Sequence, residues 1–539
     1  MIPFDPCDHR YPSRRNTVFA NRGMVCSSIP QASGIGLDIL KKGGNAVDAA
    51  VAVAAALPLL EPTSNGLGSD AFALVWTKGK LHALNASGFA PQNLTAAKVR
   101  QMGYTSMPSE GWLPVMVPGA PAAWAELAGR FGTMPLEELF APAVDYARHG
   151  FAVSVNPARM WEREARRFGQ AYQKDPALFG PWMDTFTKEG EPCRAGDIFS
   201  CPQMADTLES LAATGCESFY RGEVAEKIAA FSAATGGWLT REDLAAYKPQ
   251  WVEPITTRYR GYDVYELPPN GHGITVLMAL NILEGLEMGR DKDDPITWHH
   301  MIEALKLAFA DAKTYVADPR YMRTRVEDLL SPAYAQKRRA LVGPRALEPQ
   351  PGDPHCGGTV YFCTADGQGN MVSYIQSNYQ SFGSGVVVPG TGISLQNRGA
   401  NFSLDEASDN CLAPGKRAYH TIIPGFLAKD GQPVGPFGVM GAFMQPQGHL
   451  QVLVNTIDYG MNPQQALDAP RFQWLGGKKI QLEAGVPQAV ARELEERGHE
   501  VEIITDTLNM GRGQIIRRLE NGVLAGATEP RCDGTVAAW

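Results

Sequence analysis

Cys356-Gly357-Gly358-Thr359-Val360-Tyr361-Phe362-Cys363-Thr364-Ala365-Asp366 is the stretch on which the reading of this chain turns. Two glycines abut a β-branched and aromatic run, which predicts a strand over 359–365. The run turns at Asp366-Gly367-Gln368-Gly369-Asn370 and returns over 371–377, a hairpin signal. A threonine hydroxyl is a weak nucleophile unless a base sits beside it. A cut after Gly358 would give Thr359 a free α-amine within reach of its own Oγ. Gly357 and Gly358 suit such a cut, because glycine admits strained backbone and leaves the scissile carbonyl open. Threonine also opens ordinary strands, and this stretch alone favours that plainer reading. Upstream, 343–356 is polar and carries Pro344, Pro349, Pro351 and Pro354. It is the best linker in the sequence and predicts an exposed segment running into a buried strand, which is what a processing site requires.

The 539 residues are 44% hydrophobic and 20% charged, the make-up of a soluble globular protein with two to four domains' worth of chain. A net charge of −8 argues against nucleic acid or an anionic membrane as the main partner. Residues 1–21 hold Asp5, Asp8, Arg10, Arg14 and Arg15 with no apolar run, so no secretory signal is expected. The longest apolar segment, 46–60, carries Asp48 and is too short to span a bilayer. Nine irregularly spaced cysteines fit reduced thiols in a cytoplasm. Without a CxxC pair or an HExxH, no protein-bound metal is expected, and an activated hydroxyl nucleophile calls for no cofactor.

Periodicity predicts a helix over 31–42 ending at Gly43-Gly44, then an Asn45-capped, nearly all-apolar helix over 46–59. The turn-rich loop 61–70 follows it. This loop lacks the Lys-Ser/Thr of a phosphate loop and follows a helix, so its phosphate signal is weak. Strands are expected at 71–76 and 81–85. Further helices are expected at 136–149, 204–213, 224–234, 274–284 and 298–316, with His299 and His300 at a solvated or core-edge position. After the central hairpin come a strand over 437–443 with Gly441-Ala442 at its end, a helix over 446–459, and a hairpin across Glu520-Asn521-Gly522. Hairpins mixed with helices make an α+β pattern of stacked layers.

Five segments, in order, resemble the γ-glutamyltransferase family of N-terminal-nucleophile hydrolases. They are Gly43-Gly44-Asn45-Ala46-Val47-Asp48-Ala49-Ala50, Gly236-Gly237-Trp238-Leu239-Thr240, Glu303 to Asp311, Phe382-Gly383-Ser384-Gly385, and Asn455-Thr456-Ile457-Asp458-Tyr459-Gly460. The resemblance runs from about Gly23 to the C-terminus. It implies an αββα sandwich made as one self-cleaving proenzyme, with a large chain 1–358 and a small chain 359–539. Cleavage would fall between Gly358 and Thr359, and Thr359 would be the nucleophile. Ser377 falls where the family keeps a hydroxyl that hydrogen-bonds the nucleophile. Gly441 and Ala442 fall where two backbone N–H groups hold the oxyanion. The two chains of one precursor would stay together, and pairing of two such units is left open.

The departures bear on substrate. The family reads an α-carboxylate with an arginine in Arg-Glu-x-Ala-Pro, where this chain has Ser87-Gly88-Phe89-Ala90-Pro91. It reads an α-ammonium with an aspartate, where this chain has Asn401, and Arg398 adds a positive charge three residues earlier. A paired serine segment is replaced by His420-Thr421. A site with a cation and no acidic neighbour suits an acid-bearing substrate without an amino group. The pattern is similar to a branch with oxamate amidohydrolases, cephalosporin-type acylases and glutathione hydrolase-like proteins. The expected activity is hydrolysis of a small carboxylate-bearing amide, oxamate-like, with Arg398, Asn401, His420, Thr421 and Ser87 binding it. Arg398 as a plain surface charge stands beside this as an even alternative. The other readings are a glutathione hydrolase or γ-glutamyltransferase, an unprocessed inactive binding relative, and Cys356 in place of Thr359 as nucleophile.

Overall fold

The structure is a computed structural model that describes residues 14–349 and 359–539. The expected Cys356, Gly357 and Gly358, and with them the scissile bond, lie outside the described residues.

Two seven-stranded sheets carry the fold. One runs, in spatial order, Thr535–Ala538, Gly23–Ser27, Val360–Asp366, Met371–Ser377, Asp70–Thr77, Lys80–Ala86 and Gln250–Val252. The other runs Val18–Ala20, Leu524–Thr528, Arg512–Arg518, Gln432–Met440, Gly425–Lys429, Tyr262–Glu266 and Ile255–Tyr259. Side-chain alternation sets the layers. Tyr361, Cys363 and Ala365 meet Phe426, Met440 and Ile516 in a core between the sheets. Val360, Phe362 and Val372 turn the other way onto the Pro30–Lys41 and Ala46–Leu60 helices. On the far side, Val439 and Ile515 pack against Ile274–Leu283, Pro295–Tyr315 and Met444–Ile457. The order is helix, sheet, sheet, helix, the expected αββα layering. Both faces of each central strand are covered, which is why every residue of 360–366 is buried, Thr364 and Asp366 included.

Local chemistry explains the well-formed elements. Asn45 caps Ala46–Leu60 in a reciprocal box with Asp48, and every residue of that helix is buried. Among the described residues no helix is long and apolar enough to cross a membrane. Two expectations change. The strand expected over 437–443 ends at Met440, because Gly441 (φ +137°) and Ala442 (φ +50°) leave extended geometry to start the Met444–Ile457 helix. His299 is fully buried rather than at a wet edge.

Candidate active site

Register brings the first three site residues together. Val360 pairs with Gln376, so Thr359 stands opposite Ser377 on the next rung, and Ser377 in turn pairs with Asp70. Asp70 shares the parity of Phe72, Leu74 and Trp76, which face the inter-sheet core. Ser377 likewise shares the parity of Ile375, and Thr359 that of Tyr361. Thr359, Ser377 and Asp70 therefore form one row on one face at the ends of three neighbouring strands, all fully buried. Thr359 Oγ1 lies 3.1 Å from Ser377 Oγ, and the Tyr379 N–H donates to Ser377 Oγ at 2.7 Å. Tyr379 has φ +76°, rare for a residue with a side chain, and this turn redirects the chain beyond Ser377.

Asp70 is the hub that sequence reasoning missed. Its Oδ1 accepts from the Gly88 N–H at 3.0 Å, and its Oδ2 accepts from His420 Nε2 at 2.8 Å. Arg398 Nε approaches the same oxygen at 3.6 Å, so the expectation of a cation without an acidic neighbour is corrected: Asp70, distant in sequence, supplies one. The missed signal was an acid opening a strand on the face otherwise occupied by Phe72, Leu74 and Trp76. His420 is held down to about 4, first by burial and then by the Arg398 charge, against the pull of Asp70. With Nε2–H given to Asp70, its Nδ1 accepts from the Ile422 N–H at 3.4 Å. His420 is thus a neutral spacer.

Arg398 is 1% exposed, which removes the surface-charge alternative. Its Nη1 donates to Thr421 Oγ1 at 2.6 Å, and its guanidinium carbon stands 4.6 Å from the centre of the Tyr379 ring. Nε and Nη2 have no hydrogen-bond partner. Burial lowers its pKa to about 10, so it stays charged at neutral pH. Asn401 closes the short 3-10 turn Arg398–Asn401, and its Nδ2 also lacks a partner. A buried cation and an amide, both with unspent donors, are expensive unless something accepts from them.

Ser87 does not join this group. Its hydroxyl donates to Asn85 Oδ1 at 2.7 Å and its carbonyl accepts from Arg417 Nε at 3.2 Å, so it is committed to structure. The structure thus commits the Ser87 hydroxyl to Asn85 and does not bring it to the Arg398 group expected to share its role. Its neighbour Gly88 supplies the useful contact, and a Cβ there would fall 1.7 Å from the Val117 carbonyl oxygen. Gly441 and Ala442 follow the Gln432–Met440 strand, and their carbonyls accept from the Met444 and Gln445 N–H groups. Among the described residues, neither of their own N–H groups is spent on a hydrogen bond. A pair of unspent amides in positive-φ backbone can serve an oxyanion.

One further cluster has the residue types of a metal site: His299, Glu303 and His499 hold ligand atoms within 4.8 Å of one another. Hydrogen bonds already consume them. Lys306 Nζ donates to Glu303 Oε1 at 2.7 Å and reaches His499 Nδ1 at 3.4 Å. His499 Nε2 meets His299 Nδ1 at 3.0 Å, and His299 Nε2 meets the Gly343 carbonyl at 2.8 Å. Glu303 Oε2 accepts from the Leu347 N–H, and Lys306 also holds the Leu347 carbonyl. The first part of the expected linker is thereby pinned rather than loose.

The γ-glutamyltranspeptidase family model matches residues 32–539. A cephalosporin acylase from Bacillus halodurans has the same fold, with a TM-score of 0.97 and 57% identity over 100% of this chain and 99% of that one. The glutathione hydrolase-like YwrD proenzyme of Bacillus subtilis is 36% identical over 96% of this chain and 98% of its own length. The oxamate amidohydrolase proenzyme of Klebsiella pneumoniae is 35% identical over 96% of this chain and 99% of its own.

Proposed function

The chain belongs to the γ-glutamyltranspeptidase family of N-terminal-nucleophile enzymes, and from that premise we propose that it is a self-cleaving amidohydrolase for carboxylate-bearing amides. Cleavage after Gly358 frees the Thr359 amine. Thr359 Oγ attacks the amide carbonyl, and its proton passes through that amine to the departing nitrogen as the C–N bond breaks. Water then attacks the ester: a new C–O bond forms, the bond to Oγ breaks, and the proton returns to Thr359. Ser377 orients Oγ. The Gly441 and Ala442 N–H groups face the oxyanion, where losing one such donor costs about 3–4 kcal/mol of barrier.

The observation that carries the substrate class is Arg398, buried and charged, with Nη2 unspent and Nε only in a loose 3.6 Å ion pair with Asp70, beside a neutral Asn401. Asp70, the acid of the cluster, is already committed to Gly88 and His420, so a substrate ammonium finds no partner there. This favours an acyl group with a carboxylate and no amino group, oxamate-like, over a γ-glutamyl head.

Intact-mass analysis of the purified chain, followed by an amine-release screen, tests the proposal. A small chain beginning at Thr359 and turnover of oxamate above γ-glutamyl anilides are expected. An uncut 58.4 kDa chain, or γ-glutamyl anilides turned over at least as well, overturns it.

A further inference from the structure

Arg398 can anchor an acid only if it stands at a fixed distance from the nucleophile, and the residue before it sets that distance. Asn397 is fully buried, and its N–H donates to the Asn378 carbonyl at 3.0 Å. Asn378 directly follows Ser377, the partner of Thr359 Oγ1, while Asn397 directly precedes Arg398. One backbone hydrogen bond therefore spans from the nucleophile's side of the site to the cation's side.

The Asn397 side chain locks that bond. Its Oδ1 accepts from the Gln380 N–H at 3.1 Å, and its Nδ2 donates back to Gln380 Oε1 at 2.9 Å. The same Nδ2 donates to the Ser109 carbonyl at 2.8 Å, so both hydrogens of this amide are engaged. Asn401, three residues on, leaves its Nδ2 without a partner. The other end of the bond is pinned as well. Asn378 Oδ1 accepts from Ser69 Oγ at 2.9 Å, next to Asp70, and Asn378 Nδ2 donates to Ser394 Oγ at 3.0 Å. Beyond Arg398, the Gly399 N–H donates to the Pro114 carbonyl at 2.8 Å. The backbone that carries the guanidinium is held on both sides and has no slack towards Thr359.

Such a clasp reads length. Each methylene added between the scissile carbonyl and the acid moves the carboxylate by about 1.3 Å. A misplacement of about 1 Å can cost about 100-fold in rate. We propose that Asn397, clasped to Gln380, is the positioning residue that holds Arg398 at one separation from Thr359 and so makes the two-carbon acyl group of oxamate preferred over its three- and four-carbon homologues. This rests on the amidohydrolase reading above and adds a length rule to it.

The test uses the matured full-length protein and ammonia release from oxamate, malonamate and succinamate. Native kcat/KM on oxamate should exceed that on succinamate by about 30-fold or more. Asn397→Asp sets a carboxylate oxygen against the Ser109 carbonyl and Gln380 Oε1. It should bring the ratio to within about threefold, through a KM that rises for oxamate and not for succinamate. Gln380→Leu, at a partly exposed residue, removes one arm of the clasp and should lower the ratio part of the way. Gln380→Glu keeps an acceptor for Asn397 Nδ2 and should preserve it. If Asn397→Asp does not mature, the two Gln380 variants decide. A native ratio near one, or variants that slow all three amides by a common factor, overturns the inference and leaves the amidohydrolase reading intact. No ammonia from any of the three with the native protein overturns both.

Discussion

Two buried clusters in this protein are assembled from the same kinds of side chain and end in opposite states. Asp70, His420 and Arg398 join one strand to two loops at the end of the inter-sheet layer. Glu303, Lys306, His299 and His499 join the Pro295–Tyr315 helix to the C-terminal region on the outer side of the second sheet. In the outer cluster every polar atom described above is matched: Lys306 neutralises Glu303, and the histidines pass hydrogen bonds along to a backbone carbonyl. Burial pushes Glu303 up and Lys306 down, and their mutual attraction opposes both. In the inner cluster the acid is satisfied but the cation is left with unspent donors. Ionisable type and burial do not separate a lock from a site; unmatched donors do.

The sharpest way to break this contrast is at the nucleophile. Thr359→Ala should abolish both self-cleavage and turnover, leaving one 58.4 kDa species by mass spectrometry. Two chains from that variant would remove Thr359 from the mechanism and reopen Cys356. Next comes the open cluster. Arg398→Gln should lower kcat/KM on carboxylate-bearing amides about 100-fold or more, the scale of one lost charge-assisted contact to a buried partner. An effect below threefold would make Arg398 a structural partner of Asp70, and the two clusters would then be alike.

The closed cluster should answer in stability instead. Glu303→Gln leaves the Lys306 ammonium buried without its counter-charge and should cost about 3 kcal/mol in denaturant unfolding, with kcat of the matured enzyme within twofold of native. Loss of kcat without loss of stability would move this cluster into the catalytic machinery. The smallest effect concerns pH. His420 titrates near 4 in the folded chain, against about 6.5 unfolded, so the unfolded chain takes the proton first. The stability this group supports is fully present above pH 6.5 and is lost as pH falls towards 4. The native advantage over His420→Asn should therefore narrow by up to about 1.4 kcal/mol per pH unit in that window. An advantage that stays constant across it would mean His420 is not held neutral.

Legibility followed the range of the forces involved. The Asn45 cap, the hairpin at Asp366–Asn370 and the nearly all-apolar helix expected over 46–59 are short-range patterns, and each is readable. The Val155–Lys174 helix carries no such signal: it is charge-rich and Ser154 makes no side-chain cap, so neither end announces itself. Asp70 reads in sequence only as the end of the turn-rich loop 61–70, and Ser87 reads as a substrate group because its position, not its partners, is visible there.

What the linear chain determined by itself was the α+β mix of hairpins and helices and the Gly-Gly-Thr junction; the αββα layering and Thr359 as nucleophile came with the family resemblance. Strand and helix periods are local, and the glycine-threonine junction lies in consecutive residues. What only the folded molecule decided was which charges are already spent. Asp70 and His420 are 350 residues apart and meet through sheet register, and Arg398 is 328 residues from the same acid. A hydrogen bond between such residues leaves no trace in sequence spacing, so the difference between a satisfied charge and an expectant one belongs to tertiary structure alone.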